Sequence, residues 1–220
     1  MDASTVVKPE PSGTTADRIL AAGMRCFARE GFAGATTRMI AAEAGVTLPV
    51  IAYHFGNKDG LHRACAQEIV EQHRRQLLPL TSAAREAASG PLAPEAARDW
   101  LEKILTALVA MITADTEQRL STDFLLREMS EQGPGYTLLV DELWQPGIGL
   151  VADLIAIARR REPGSEQDRA GALMLIASLS AFTREEPISR AFLGWDALDG
   201  SRRKTVAEIA HRLLAGLVAH

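Results

Sequence analysis

The chain has 220 residues, 47% of them hydrophobic and 24% charged, enough for one small domain and one ordinary domain with a sizeable core. Its longest nearly apolar stretch, 171–182, is too short to cross a bilayer. The formal net charge of −4 argues against a nucleic-acid partner only until its distribution is read: 14–78 holds eight basic residues against six acidic, a mildly basic head on an acidic body.

The first thirteen residues carry two prolines and no apolar stretch, which reads as a flexible tail rather than a secretory signal and points to a cytoplasmic protein. Beyond them, apolar residues recur at helical spacing and no segment alternates with the period of a strand, so the fold class is all-α. A first helix over 15–30 buries Ile19, Ala22, Gly23, Cys26 and Phe27 and stops at Gly31. A second, short helix is capped by Thr36 or Thr37, buries Ile40, Ala41 and Ala44, and ends at Gly45. The third spans 48–54 behind Thr47, with Pro49 in its first turn, where amides have no helical acceptor.

A fourth helix starts at Asn57 or Lys58, reaches as far as Leu78, and turns Leu61, Ala64, Cys65, Ile69 and Leu77 inward. The small, Pro/Gly-containing run 81–94 reads as a flexible connection. Further helices follow over 95–114, 117–131, 137–161, 166–193 with a break near Pro187, and 201–219. Pro146-Gly147 should kink or open the helix over 137–161, beside a cavity or simply in a bent packing helix. Cys26 and Cys65 fall on apolar stripes and read as structural thiols.

Two short helices meeting through Gly45 within 36–55 have the form of a helix-turn-helix. Ala41 and Ala44 allow the close crossing, and Val46 and Ile51 wedge it from inside. Ile51 and Phe55, four apart, face inward, which leaves an outward face of Leu48, Pro49, Ala52 and Tyr53 that is too apolar for an idle surface.

The run 15–78, through 18–32, 36–46 and 52–61, resembles the TetR family, and 125–155 with 192–195 resembles its CecR-type subfamily. The resemblance implies a three-helix DNA-binding head over 14–60 and, over 61–220, an antiparallel helical domain for ligand binding and dimerisation. It implies that Thr37 and Arg38 face phosphates or a base edge, that Thr47, Leu48, Pro49, Val50 and Tyr53 enter the major groove, and that His54 and Lys58 reach phosphates. Ala52 departs from the aromatic residue many relatives carry, and its methyl could touch only a thymine methyl. With no Arg, Lys, Asn or Gln between Thr47 and Phe55, Arg38 is the guanidinium expected to read a guanine.

In the body, Arg127 and Glu128 follow Leu120 and Phe124 at helical spacing and put charge on an apolar face, as ligand anchors or as exposed i,i+4 pairs. Trp100, Phe124, Met129, Trp144 and Phe182 are pocket candidates for an aromatic or amphipathic inducer, each also suited to plain core. The resemblance pairs 137–161 and 166–183 with their copies in a homodimer. No metal-ligand spacing, phosphate loop or Ser/His/Asp arrangement is present, so neither enzyme activity nor a cofactor or metal is expected. The expected function is a ligand-responsive regulator, a repressor released from double-stranded operator DNA by a small-molecule inducer. The competing class is a helical ligand carrier or partner-binding bundle that never touches DNA.

Overall fold

The computed structural model describes residues 13–113, 116–182, 186–195 and 198–219, and these form helices and connecting turns with no strand among them. The described residues begin with one long and two short helices: α1 (Thr15–Gly34), α2 (Thr37–Ala44) and α3 (Leu48–Phe55). Their ends are set by local chemistry. Thr14 accepts from the Asp17 amide at 3.2 Å while Asp17 accepts from the Thr14 amide at 2.8 Å, a reciprocal cap. Thr36 accepts from the Met39 amide at 3.2 Å, and Gly45 ends α2 with φ +65°, a left-handed conformation costly for other residues.

Helix α4 (Lys58–Ala88) is 31 residues long, about 46 Å at 1.5 Å per residue, and runs from the first three helices into the rest of the molecule. Its length corrects the flexible connection expected over 81–94, because 81–88 continue the helix through Pro79. Pro79 lacks the amide that would reach the Arg75 carbonyl, but both residues are exposed, so water can serve that carbonyl. Beyond it, Ala, Arg and Glu favour helix, and Ala84 is fully buried. Helices α5 (Pro94–Ile112), α6 (Thr116–Glu131), α7 (Tyr136–Leu139), α8 (Gln145–Ala158), α9 (Glu166–Ser178), α10 (Glu186–Leu193) and α11 (Gly200–Val218) complete the fold.

The expected interruption near Pro146 is a π turn over Val140–Trp144, in which the Gln145 amide bonds the Val140 carbonyl. A wide turn placed there absorbs the amide that Pro146 cannot give to the preceding turn. The break expected near Pro187 falls earlier, at a 3-10 turn over Leu179–Phe182.

Two apolar clusters result. One joins α1, α2, α3 and the first half of α4 to Phe124 and Leu125 of α6 and Leu139 of α7. The other joins Ala84 near the end of α4 to α5, α8, α9 and α11. The packing therefore divides along α4, and α6 and α7 belong to the head's interior. Arg159 and Asp168, paired at 2.9 Å and nearly buried, tie the end of α8 to the start of α9. Arg98 donates to the terminal carbonyls Ala158 and Val218 and so holds two helix ends together. No helix among the described residues is long and apolar enough to cross a membrane.

Candidate functional site

Three places in the molecule combine geometry with chemistry, and the first is the outer face of α3. Ile51 is 2% exposed and Phe55 packs on the head's core, which turns the opposite side of the helix outward. There Leu48, Pro49, Ala52 and His54 are exposed, and Tyr53 is 85% exposed. Val50 is half-buried against the core. Thr47 is exposed and makes no side-chain cap bond. On α2, Thr37 is half-buried and Arg38 is exposed with no ion-pair partner among the described residues, in contrast to Arg25 and Arg29, which are held by Glu43 and Glu30.

Lys58 differs from its expected place at a phosphate. Its ammonium donates to the carbonyls of Phe32 at 2.7 Å and Ala35 at 2.9 Å and lies over the Phe32 ring, so it fastens α4 to the end of α1. The two thiols are also internal: burial, then Glu43 at hydrogen-bond distance, pushes Cys26 up to about 11. Burial likewise pushes Cys65 up.

The second place is the junction of α4, α6 and the loop before α7. His62 is 1% exposed and sits among Phe27, Phe32 and Phe124, with its Nε2 3.3 Å from Glu128. Glu128 is 3% exposed and accepts from the Gly135 amide at 2.6 Å. The glycines of Gly133-Pro134-Gly135 are there for space: a Cβ on Gly133 would lie 2.6 Å from the Glu128 carboxylate, and one on Gly135 the same distance from Ala66 of α4. Burial drives the His62 pKa down to about 4, and burial raises that of Glu128 against the pull of the Gly135 and Tyr136 amides. His62 is thus a neutral ring in an aromatic cage, and its Nδ1 has no partner among the described residues. Beside it, Arg127 donates to the Ala28 and Arg29 carbonyls and pairs with Glu131, which locks α6 to the end of α1.

The third place is a cavity of about 410 Å³ between α4, α5, α6, the π turn, α8 and the end of α9. Its walls are mostly aliphatic, among them Leu77, Ile104, Leu108, Leu125 and Val151. Trp144 lines it. The other six candidates do not: Phe124 and Met129 fill the head's core, Arg127 and Glu128 hold the junction, Trp100 packs on the body's core beneath Lys103, and Phe182 stacks on Trp195. The polar wall residues are instead His73, Thr81, Thr122 and Ser180, with Arg74, Arg85 and Glu142 also on the lining. A signal for two of them was present, since Ile69, His73, Leu77 and Thr81 form one stripe at four-residue spacing in which polar groups interrupt an apolar face.

The expected pairing through 137–161 meets an obstacle. Leu150, Val151, Leu154, Ile155 and Ala158 of α8 are buried within the chain. Among the described residues, exposed apolar side chains stand on the other expected segment, with Leu173 and Met174 on α9, and beyond it, with Ile188 and Phe192 on α10 and Ile209 and Leu213 on α11, of which Phe192 is 87% exposed.

Comparison with known proteins matches residues 19–65 to the family described as bacterial regulatory proteins, tetR family, and residues 97–219 to the C-terminal domain of the HTH-type transcriptional dual regulator CecR. The CecR protein of Shigella flexneri is 27% identical over 190 residues, covering 86% of this chain and 84% of that one. The HTH-type transcriptional repressor AcnR of Corynebacterium glutamicum is 42% identical over 50 residues, 23% of this chain and 27% of its own. Among solved structures, a TetR-like transcriptional regulator from Rhodococcus sp. RHA1 superposes with a TM-score of 0.65 at 20% identity, covering 96% of this chain and all of the other. The multidrug binding protein EbrR, solved with malachite green, superposes with a TM-score of 0.54 at 23% identity, covering 93% of this chain and 98% of its own. These two likenesses are of fold.

Proposed function

The chain belongs to the TetR family of bacterial regulatory proteins, with a C-terminal domain of the CecR type, and from that premise we propose that it is a homodimeric repressor released from an inverted-repeat operator when a small molecule enters the body cavity. That it is a DNA-binding regulator of transcription follows from the family; the rest is the proposal. The observation that carries it is the outer face of α3, where Leu48, Ala52, Tyr53 and His54 stand clear of the core behind the left-handed turn at Gly45. Tyr53 and His54 with Thr37 and Thr47 would set the register on phosphates, Leu48, Pro49, Val50 and Ala52 would meet thymine methyls, and Arg38 would read a guanine. Lys58 would act at one remove, by fixing where α4 leaves the head.

Two heads related by a twofold axis sit on one duplex face only if the operator is itself an inverted repeat. The apolar faces of α9 and α11, with Phe192 nearby, are the surface a second copy would cover. The cavity is walled by the same α4 that anchors the head, so a ligand preferring one pose of α4 would change the spacing of the two heads. EbrR, a protein of the same fold, was solved in complex with the organic dye malachite green, which favours a small organic effector here.

The test is a footprint and an anisotropy titration on the DNA upstream of the chain's own gene, alongside sedimentation. A protected inverted repeat, a dimer in solution and release by an effector support the proposal. A monomer that binds DNA, or protection without any dyad, rejects it.

A further inference from the structure

The polar groups on the cavity wall have mostly spent their protons. Thr81 donates its hydroxyl to the Leu77 carbonyl at 3.0 Å, and Ser180 donates to the Ala177 carbonyl at 2.7 Å. His73 lies 2.9 Å by its Nδ1 from the Ile69 carbonyl, which accepts only, so the proton sits on Nδ1, and in the neutral ring that burial favours Nε2 carries a lone pair. No hydrogen-bond partner for Nε2 stands among the described residues, and His73 is part of the cavity wall.

The charged groups on the lining are also engaged. Arg74 pairs with Glu71 at 2.9 Å and with Glu142 at 2.6 Å, and Arg85 donates to the Pro146 carbonyl at 3.1 Å. A carboxylate arriving at Arg74 would have to displace an existing ion pair, Arg85 is an exposed guanidinium already donating to a backbone carbonyl, and a carboxylate set against His73 Nε2 would meet a lone pair in place of a donor. The Trp144 indole N–H is buried without a partner among the described residues. A volume of about 410 Å³ suits a molecule of two or three rings.

We infer that the effector is a lipophilic, uncharged molecule that presents a hydroxyl or N–H donor to His73 Nε2, and that acids of the same shape are rejected. This deepens the ligand-released reading above and rests on it. His73 would be the specificity-determining residue, and burial, which holds its pKa down, keeps the lone pair available. Apolar contact would supply most of the affinity and the donor would supply the choice.

Three probes of one shape test the assignment by isothermal titration calorimetry on the full chain: 4-phenylphenol, 4-methoxybiphenyl and biphenyl-4-carboxylate. The ether keeps an oxygen acceptor for Trp144 and lacks only the donor, so the gap between phenol and ether reports on Nε2. The phenol is expected to bind ~10-fold more tightly than either of the others, about the worth of one well-made hydrogen bond. In His73→Phe or His73→Leu, whichever keeps the wild-type helical content, phenol and ether should become equal while the ether's affinity is unchanged. Equal binding of phenol and ether by the unsubstituted chain, or a preference for the carboxylate, overturns the inference and leaves the cavity an effector site. If none of the three binds, the cavity reading falls and takes the inference with it.

Discussion

Helix α4 passes through two interiors of opposite character. Around its first half Phe27, Phe124, Ile69 and Leu61 are almost wholly buried, and the polar groups His62, Glu128, Lys58 and Arg127 are held by named partners. Around its second half the same helix borders a cavity of about 410 Å³ lined by aliphatic side chains. The first kind of interior resists change, because a close-packed, polar-pinned junction has few alternative arrangements. The second kind can accept a guest. Joined by one continuous helix, they make a rigid grip at one end and a receptive space at the other.

The largest effect that tests this contrast is a truncation on the packed side. Phe124→Ala should cost about 3–5 kcal/mol in denaturant unfolding, the usual range for emptying a filled aromatic site. A loss under about 1 kcal/mol would show that the junction is loose.

Acid should bear on both interiors, since burial lowers the pKa of His62 on the packed side and of His73 on the hollow side. Between pH 6.5 and about 4 the unfolded chain binds a proton at His62 that the folded chain refuses, so stability falls as pH falls through that window. The contribution is on the order of 3 kcal/mol at most. Glu128 opposes it, since a carboxyl whose pKa is raised in the fold takes up its proton earlier in the folded chain than in the unfolded one. His62→Phe should flatten the fall in thermal scans from pH 7 to 4.5. A variant that retains the wild-type slope would place the acid sensitivity elsewhere.

Within the head, two cations should behave in opposite ways. Lys58→Ala removes both carbonyl contacts and should lower stability by about 1–3 kcal/mol. Arg38→Ala should leave the melting temperature in place and cost ~1–3 kcal/mol of operator affinity, with relaxed preference at one base pair per half-site. Should Arg38→Ala weaken all sequences alike in titrations over operator variants, Arg38 is a phosphate clamp and shape must carry the specificity.

The smallest effect belongs to the hollow side. Leu108→Phe puts bulk into existing space and should change stability by less than about 1.5 kcal/mol while abolishing binding of 4-phenylphenol. A large loss of stability there would mean that the cavity walls have no slack.

The head was legible because its instructions are local. Thr36, Gly45 and Pro49 each act within one turn of where they stand, and the inward pair Ile51 and Phe55 fixes the outward face by period alone. The body was less so. The expected end of α4 at Leu78 falls just before Pro79, yet that proline sits on the exposed side, where a missing amide costs little, and the helix runs on. Glu128 was correctly singled out as a charge on an apolar face, but its partner His62 lies on another helix and nothing in the spacing joins them. Trp100, Phe124 and Phe182 attracted attention by size and went to the cores, whereas the cavity is walled by ordinary residues brought together from six segments of the chain.

The π turn at Val140–Trp144 has a consequence in helical phase. A residue added to a helix rotates everything before it by about 100° relative to everything after it, since a full turn takes 3.6 residues. On one side of that step lie α7 and the glycine loop that closes over Glu128; on the other lies α8, whose Leu150 and Val151 meet the cavity. Without the extra residue, the azimuth that suits one side would dictate the other. The π turn supplies that offset, so the glycine loop can close over Glu128 while Leu150 and Val151 still meet the cavity.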